Sequence, residues 1–223
     1  MKPRHLFTAI AFAISMLMLM NCSQGKKSDK QSDTLSGNVT DEPAPAFKMY
    51  GIKSGIIEYK HSGSTSGTTT IYFDRYGTRT ATHSDLIVNG QAEKGWIVSL
   101  DDTQYMYKEG TYQGVKMKNP MIEELRKVND IEKLSEEMYA KMGFKPAGTE
   151  KHLGKECIVY KGDNGKVLTW KGMLMVMEMN VMGTALKQEA TKMDLNAKVK
   201  PSVFELPEGI TFTEMPAFGT GGV

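Results

Sequence analysis

Short segments in which apolar and polar residues alternate occupy most of this chain. Ile57 and Tyr59 alternate with polar neighbours, and a Gly-Ser-Thr-Ser-Gly sequence at residues 63–67 follows them. Further segments of this kind lie at residues 71–73, 96–100, 105–107, 157–161, 167–170, 173–182, 186–195 and 203–206. Alternate residues of a strand point to the same face, so each segment predicts a strand. Because the connecting turns are short, we predict a mainly β (α+β) fold with about ten or eleven antiparallel strands.

One segment has a helical period instead. Asn119 followed by Pro120 is a helix start signal, with Asn as the cap and Pro at the first helical position. Apolar residues then recur at steps of three and four, at residues 125, 128, 131, 134, 138 and 142. Asp130 is predicted to cap a second helical segment, and Gly143 to end it. We expect this stripe to lie across the sheet, either closing the core or serving as a lid.

The first 21 residues have the composition of an export signal. Lys2 and Arg4 precede an apolar run of about 15 residues, which is shorter than the roughly 20 residues of a membrane-spanning helix. The run ends in Leu-Met-Asn-Cys at Cys22, which resembles the lipobox of bacterial lipoproteins. That resemblance implies cleavage before Cys22 and attachment of palmitate-like acyl chains to it. Ser23 resembles an outer-membrane address, with the protein facing the periplasm. Plain secretion with cleavage elsewhere is the alternative.

The rest of the chain divides into three parts by composition. Residues 22–46 are rich in Ser, Lys, Asp, Gly and Pro, and we predict a disordered tether behind the lipidated N-terminus. Residues 47–215 have the length of a single domain, and residues 216–223 read as a flexible tail. After cleavage 26 basic and 26 acidic residues remain, so charge gives no case for a nucleic-acid partner.

The sequence offers little for catalysis or metal binding. His61, His83 and His152 are isolated, and no zinc-binding pattern is present. Cys157 lies in an apolar segment, which is typical of a packed thiol and not of a nucleophile. Residues 63–67 have the glycine spacing of a hydrolase elbow but place a threonine at the nucleophile position. We therefore expect a protein that is not an enzyme and has no cofactor.

Several short motifs suggest a family. They lie at residues 72–77, 94–96, 142–145, 148–151, 170–172 and 204–209. With the lipoprotein signal and the many strands, they resemble the Lol superfamily of periplasmic lipoprotein carriers and outer-membrane receptors, and most closely small bacterial envelope lipoproteins of that fold. The resemblance implies a curved half-barrel whose concave face takes acyl chains beneath a helical lid, so the expected partner is an acyl-chain or lipoprotein ligand.

A row of methionines is the most unusual local feature. Met173, Met175, Met177 and Met179 alternate along one predicted strand, and their row should face the interior. Ordinary core filling is one explanation, because methionine adapts to irregular gaps. A second is an adaptable wall for an apolar ligand, and its predicted companions are Trp96, Met117, Met138 and Trp170. A third is a thioether site for monovalent copper, although same-face residues lie about 6.6 Å apart on a strand.

These observations lead to three functional hypotheses. The first is a lipid-anchored, non-enzymatic envelope protein that binds or carries an acyl-chain-like ligand in a half-barrel. The second is a methionine-rich copper-binding envelope protein. The third is an interaction module of an envelope complex.

Overall fold

The computed structural model describes residues 45, 47–119, 122, 125–127, 130–181 and 183–215. Within these residues the backbone forms twelve strands and an eleven-residue helix, Ile131–Lys141, and residues 122 and 125–127 are also helical. The strands are β1 (Gly55–Gly63), β2 (Thr65–Asp74), β3 (Arg79–Val88), β4 (Gln91–Leu100), β5 (Thr103–Lys108), β6 (Gln113–Lys118), β7 (Lys145–His152), β8 (Lys155–Gly162), β9 (Gly165–Trp170), β10 (Met173–Val181), β11 (Thr184–Leu195) and β12 (Thr211–Glu214).

The twelve strands form one open, curved sheet in the order β12-β6-β5-β4-β3-β2-β1-β11-β10-β9-β8-β7. Neighbours pair antiparallel except β12, which runs parallel to β6. Local chemistry explains the tight turns. Asn89 and Gly90 connect β3 to β4 with φ of +51° and +78°, the conformation of a two-residue hairpin turn that Asn-Gly sequences favour. The predicted mainly β half-barrel with a helical segment is confirmed.

The face of the sheet that carries Ile57, Tyr59 and His61 is called the inner face below. All three side chains are buried there. Phe73 of β2 completes their cluster, and the Tyr50 ring packs edge-on against it with centroids 4.9 Å apart. The segment before β1 therefore folds back over the inner face and shields part of it from water.

The helix Ile131–Lys141 begins at the predicted cap. The Asp130 carboxylate accepts hydrogen bonds from the backbone N–H groups of Glu132 and Lys133 at 3.0 and 3.1 Å. Gly143 follows the helix with φ of +84°, a conformation that glycine adopts without strain. Both predicted boundaries of this segment are confirmed.

The helical residues pack on the inner face through two groups. Leu125 and Leu134 are buried with Phe47 in one cluster, and residues 122 and 125–127 are helical. Tyr139 and Met142 pack against a second cluster, which consists of Phe144 and of residues from β8, β9 and β10. The predicted helix start at Pro120 and the stripe residue at position 128 lie outside the described residues.

The opposite, outer face has its own cover. Ala81 and Val98 are buried there beneath Phe204, which belongs to the 3₁₀-helix Pro201–Phe204. The predicted strand at residues 203–206 is therefore wrong. Pro201 fixes its φ near the helical value and has no N–H to pair, which favours a first helical turn over a strand.

The methionine row is interrupted by a bulge. Met173, Met175 and Met177 are buried as expected, but the pairing of β10 with β9 shifts register between Leu174 and Val176. A β-bulge breaks the alternation of side chains along a strand. The three buried methionines consequently belong to three separate clusters instead of one continuous row.

The predicted lipid anchor at Cys22 belongs to a part of the chain that the structure does not describe. In the residues that the structure describes, no helix is long and apolar enough to cross a membrane. The predicted signal peptide, Cys22 and residues 216–223 lie outside the described ranges, so their roles stay predictions.

Candidate functional site

A cavity of about 170 Å³ lies on the inner face, between the sheet and the segments that cover it. Its walls on the sheet side come from strands β2 to β5 and β11. Met49, Tyr50 and Ile122 line it from the covering side. We call this space the inner-face cavity.

The strand register explains why these side chains meet. Ile71 of β2 lies opposite Thr82 of β3, which lies opposite Ile97 of β4. All three line the cavity and form its central row. Leu86 lies four residues beyond Thr82 on β3, on the same face, and adds another apolar side chain to the wall. The centre of the cavity is therefore mainly apolar.

A chain of buried polar groups flanks this row on one side. His61 Nε2 lies 2.9 Å from Thr69 Oγ1, and Thr69 Oγ1 lies 3.2 Å from Ser84 Oγ. His61 is only 3% exposed, and burial lowers the pKa of its imidazole to about 4. The ring is therefore neutral at pH 7, and each of these polar groups has a hydrogen-bond partner.

Gln104 lies on the other side of the central row. Its register partners are Ser99 of β4 and Met117 of β6, and its side chain is 8% exposed. Gln104 and Ser99 both line the cavity. Among the described residues, Gln104 Oε1 is buried without any hydrogen-bond partner. Such an atom is costly to leave unpaired, so it marks a place where a bound molecule would be stabilised.

The cavity has little charge. Of the described residues that line it, Asp101 is the one carboxylate, and none is a lysine, an arginine or a histidine. Burial raises the pKa of the Tyr50 hydroxyl to about 12, so that group is also neutral. The site is thus suited to an uncharged or apolar group more than to an anion.

None of the eight side chains predicted to bind a ligand lines this cavity. Trp96 lies on the outer face, next to Ile97 on the same strand, and lines a separate open groove of about 420 Å³ with Tyr107 and Tyr112. Met117 is buried beside the cavity, opposite Gln104.

The other six residues lie further away. Met138 packs in the helical cluster with Leu125 and Leu134. Trp170 packs between two clusters, with the Lys155 and Lys171 amines 5.0 and 5.2 Å from its ring centroid. The methionines of β10 fill three clusters, and Met179 is half-buried at the edge of one of them. A ligand-binding role for these side chains stays a prediction, and their separation does not favour a single copper ion.

Potential catalytic groups are few in the described part of the chain. No group of three or more His, Cys, Asp and Glu side chains there could hold a metal ion. Cys157 is fully buried, as predicted, and burial raises the pKa of its thiol. A raised thiol pKa disfavours the reactive thiolate.

The polar side chains in the cavity wall were not predicted, although the sequence of β3 carries a signal for them. Thr80, Thr82 and Ser84 occupy alternate positions of β3, on the same face as the buried Leu86. Hydroxyl groups in phase with a buried apolar residue indicate an inner face that is partly polar. No comparable signal exists for Gln104, whose surroundings depend on the whole sheet.

No family model matches this sequence, and no curated protein matches it. Its fold is similar to that of an uncharacterized conserved protein from Thermus thermophilus, with a TM-score of 0.50 and 7% identity over 74% of this chain and 92% of that one. The comparison with the Pseudomonas aeruginosa MucA/MucB complex gives a TM-score of 0.41 and 10% identity, over 71% of this chain and 57% of that one. The comparison with LprF from Mycobacterium bovis gives a TM-score of 0.32 and 9% identity, over 68% of this chain and 89% of that one. The first match shows a common fold, and none of these identities shows a shared function.

Proposed function

We propose that this chain is a lipid-anchored, non-enzymatic protein of the bacterial cell envelope that binds or carries an acyl-chain-like ligand in its inner-face cavity. The observation that carries the proposal is the cavity itself, which lies between a curved sheet and a helical cover and has apolar side chains in its central row. Acyl chains anchored at Cys22 would hold the protein on a membrane, where such ligands are abundant.

The free energy of burying methylene groups favours the binding of an apolar chain in the inner-face cavity. Each methylene group that leaves water gains about 0.8 kcal/mol, so six of them gain about 5 kcal/mol before the cost of ordering the ligand. The cavity of about 170 Å³ is smaller than the roughly 300–1,000 Å³ of most ligand pockets. A long chain therefore requires the covering segments at Met49, Tyr50 and Ile122 to move outward.

Blocking the cavity is the direct test of this proposal. Thr82→Phe places a ring in the central row, and we expect it to lower the amount of bound lipid at least tenfold. Thr68→Phe is the matched control, because Thr68 is exposed on the neighbouring strand. The measurement is native mass spectrometry of the full chain purified from membranes, with and without added monomyristoylglycerol. Equal lipid binding by both variants, or none by the unmodified protein, would contradict the proposal.

The interaction-module hypothesis is the second candidate, and the outer-face groove favours it. Trp96 and Tyr107 line this groove, and Tyr112 beside them is 81% exposed. Tyrosine and tryptophan are enriched at protein interfaces. Crosslinking in the native envelope would capture a partner, and Tyr112→Ala would weaken that capture if the groove is the contact surface.

A further inference from the structure

We infer that the ligand of the inner-face cavity carries a neutral, hydroxyl-bearing head group, as a monoacylglycerol does, in preference to a free carboxylate. This inference rests on the proposed function and specifies the ligand class of the same site. Its starting point is the Gln104 side-chain oxygen, which is buried, lines the cavity and has no hydrogen-bond partner among the described residues.

The position of Gln104 is fixed by the sheet. Its neighbours across the strands are Ser99 and Met117, and its side chain is more than nine-tenths buried. The His61–Thr69–Ser84 chain on the other side of the central row is already paired internally. Among the described residues, Gln104 Oε1 is therefore a buried acceptor in this wall that is open to a ligand.

Gln104 belongs to the polar end of the cavity. Ser99 and Asn119 line the cavity with it, and exposed Asp101 lies at the same end, where β4 turns into β5. A head group bound here would be near the surface, while an attached chain would extend along the apolar row at Ile71. An amphiphilic ligand would therefore bind in one orientation, with its head group at Gln104 and its chain along the apolar row.

The unpaired Gln104 oxygen and the lack of cationic groups among the described lining residues favour a hydroxyl over a carboxylate. An amide oxygen accepts a hydrogen bond, and a hydroxyl group can donate to it. A fatty-acid carboxylate at neutral pH has only acceptors to offer to Gln104 Oε1. It would also lie near the Asp101 carboxylate, and no lysine, arginine or histidine is among the described lining residues to compensate it.

Competition between two ligands with the same chain tests the head-group preference. Monomyristoylglycerol and myristic acid are added in equal amounts to the full chain, and bound masses are read by native mass spectrometry. We expect the protein to bind at least tenfold more monomyristoylglycerol than myristic acid. Gln104→Met removes the acceptor at similar volume and should abolish most of this preference, whereas Gln104→Asn keeps an uncharged amide oxygen and should retain more of it than Gln104→Met. Gln91→Met, on the exposed start of β4, is the matched control.

The outcomes separate this inference from the proposed function. Equal binding of the two ligands, or an unchanged preference in Gln104→Met, overturns the head-group inference and leaves acyl-chain binding intact. Binding of neither ligand overturns both. Thermal melting of the ligand-free variants shows whether each one is folded. If Gln104→Met does not fold, Gln104→Leu replaces it, and an unchanged preference in that variant counts against the inference.

Discussion

Replacing Phe73 by alanine is expected to lower the free energy of unfolding by about 3–5 kcal/mol. Phe73 is fully buried in the cluster that joins β1, β2 and β10, and the Tyr50 ring packs edge-on against it. Its ring also fills the space above Gly55, where an added Cβ would lie 2.8 Å from it. Alanine would leave a cavity with rigid strands on its sheet side, which limits collapse around the lost ring.

Urea denaturation of the purified protein measures this effect, with Tyr112→Ala as the comparison. Tyr112 is 81% exposed, so its loss should change the free energy of unfolding by less than about 0.5 kcal/mol. If both alanine variants lose the same stability, the inner-face cluster is not the core that the structure describes.

Acidification from pH 6.5 to pH 4 is expected to remove about 3 kcal/mol of stability through His61 alone. Burial lowers the pKa of His61 from its ordinary 6.5 to about 4. The unfolded chain therefore binds a proton near pH 6.5, whereas the folded chain binds it only near pH 4. The contribution is fully present above pH 6.5, falls as the pH decreases, and is lost once the pH is below the folded-state pKa.

His61→Gln isolates this contribution, because glutamine can still hydrogen-bond to Thr69 but does not titrate in this range. The measurement is a series of denaturation curves between pH 7.5 and pH 4 for both proteins. The unmodified protein should lose about 3 kcal/mol more than the variant over this interval. Parallel pH profiles would show that folding does not change the pKa of His61, and would contradict this prediction.

Local patterns were sufficient to predict most elements of the fold. Alternation at Ile57 and Tyr59 identified a strand, and Asp130 identified a helix start, because both signals act within a few residues. The predicted strand at residues 203–206 is instead the end of a 3₁₀-helix and the two residues that follow it. Pro201 favours that helical turn, and Phe204 is buried against the outer face of the sheet from it. The bulge beside Met175 was also beyond prediction, because it depends on the partner strand β9.

The candidate site was harder to predict for a related reason. Its walls come from five strands and from the segments that cover them, so their meeting depends on the register of the whole sheet. The methionines and tryptophans were conspicuous in the sequence, yet the methionines of β10 pack in three clusters and none of them lines the cavity. The unpaired oxygen of Gln104 is visible only when every neighbour is in place.

Photo-crosslinking tests the central claim, that acyl chains bind in the inner-face cavity, most directly. A myristoyl chain with a diazirine group would be offered to the full chain in membranes, both as the free acid and as its glycerol ester. After irradiation and digestion, fragment mass spectra locate the modified residues. Binding in the cavity predicts adducts at Ile71, Leu86 and Ile97 on the inner face. Adducts confined to outer-face residues such as Tyr107 and Tyr112, or no adducts with either compound, would contradict it.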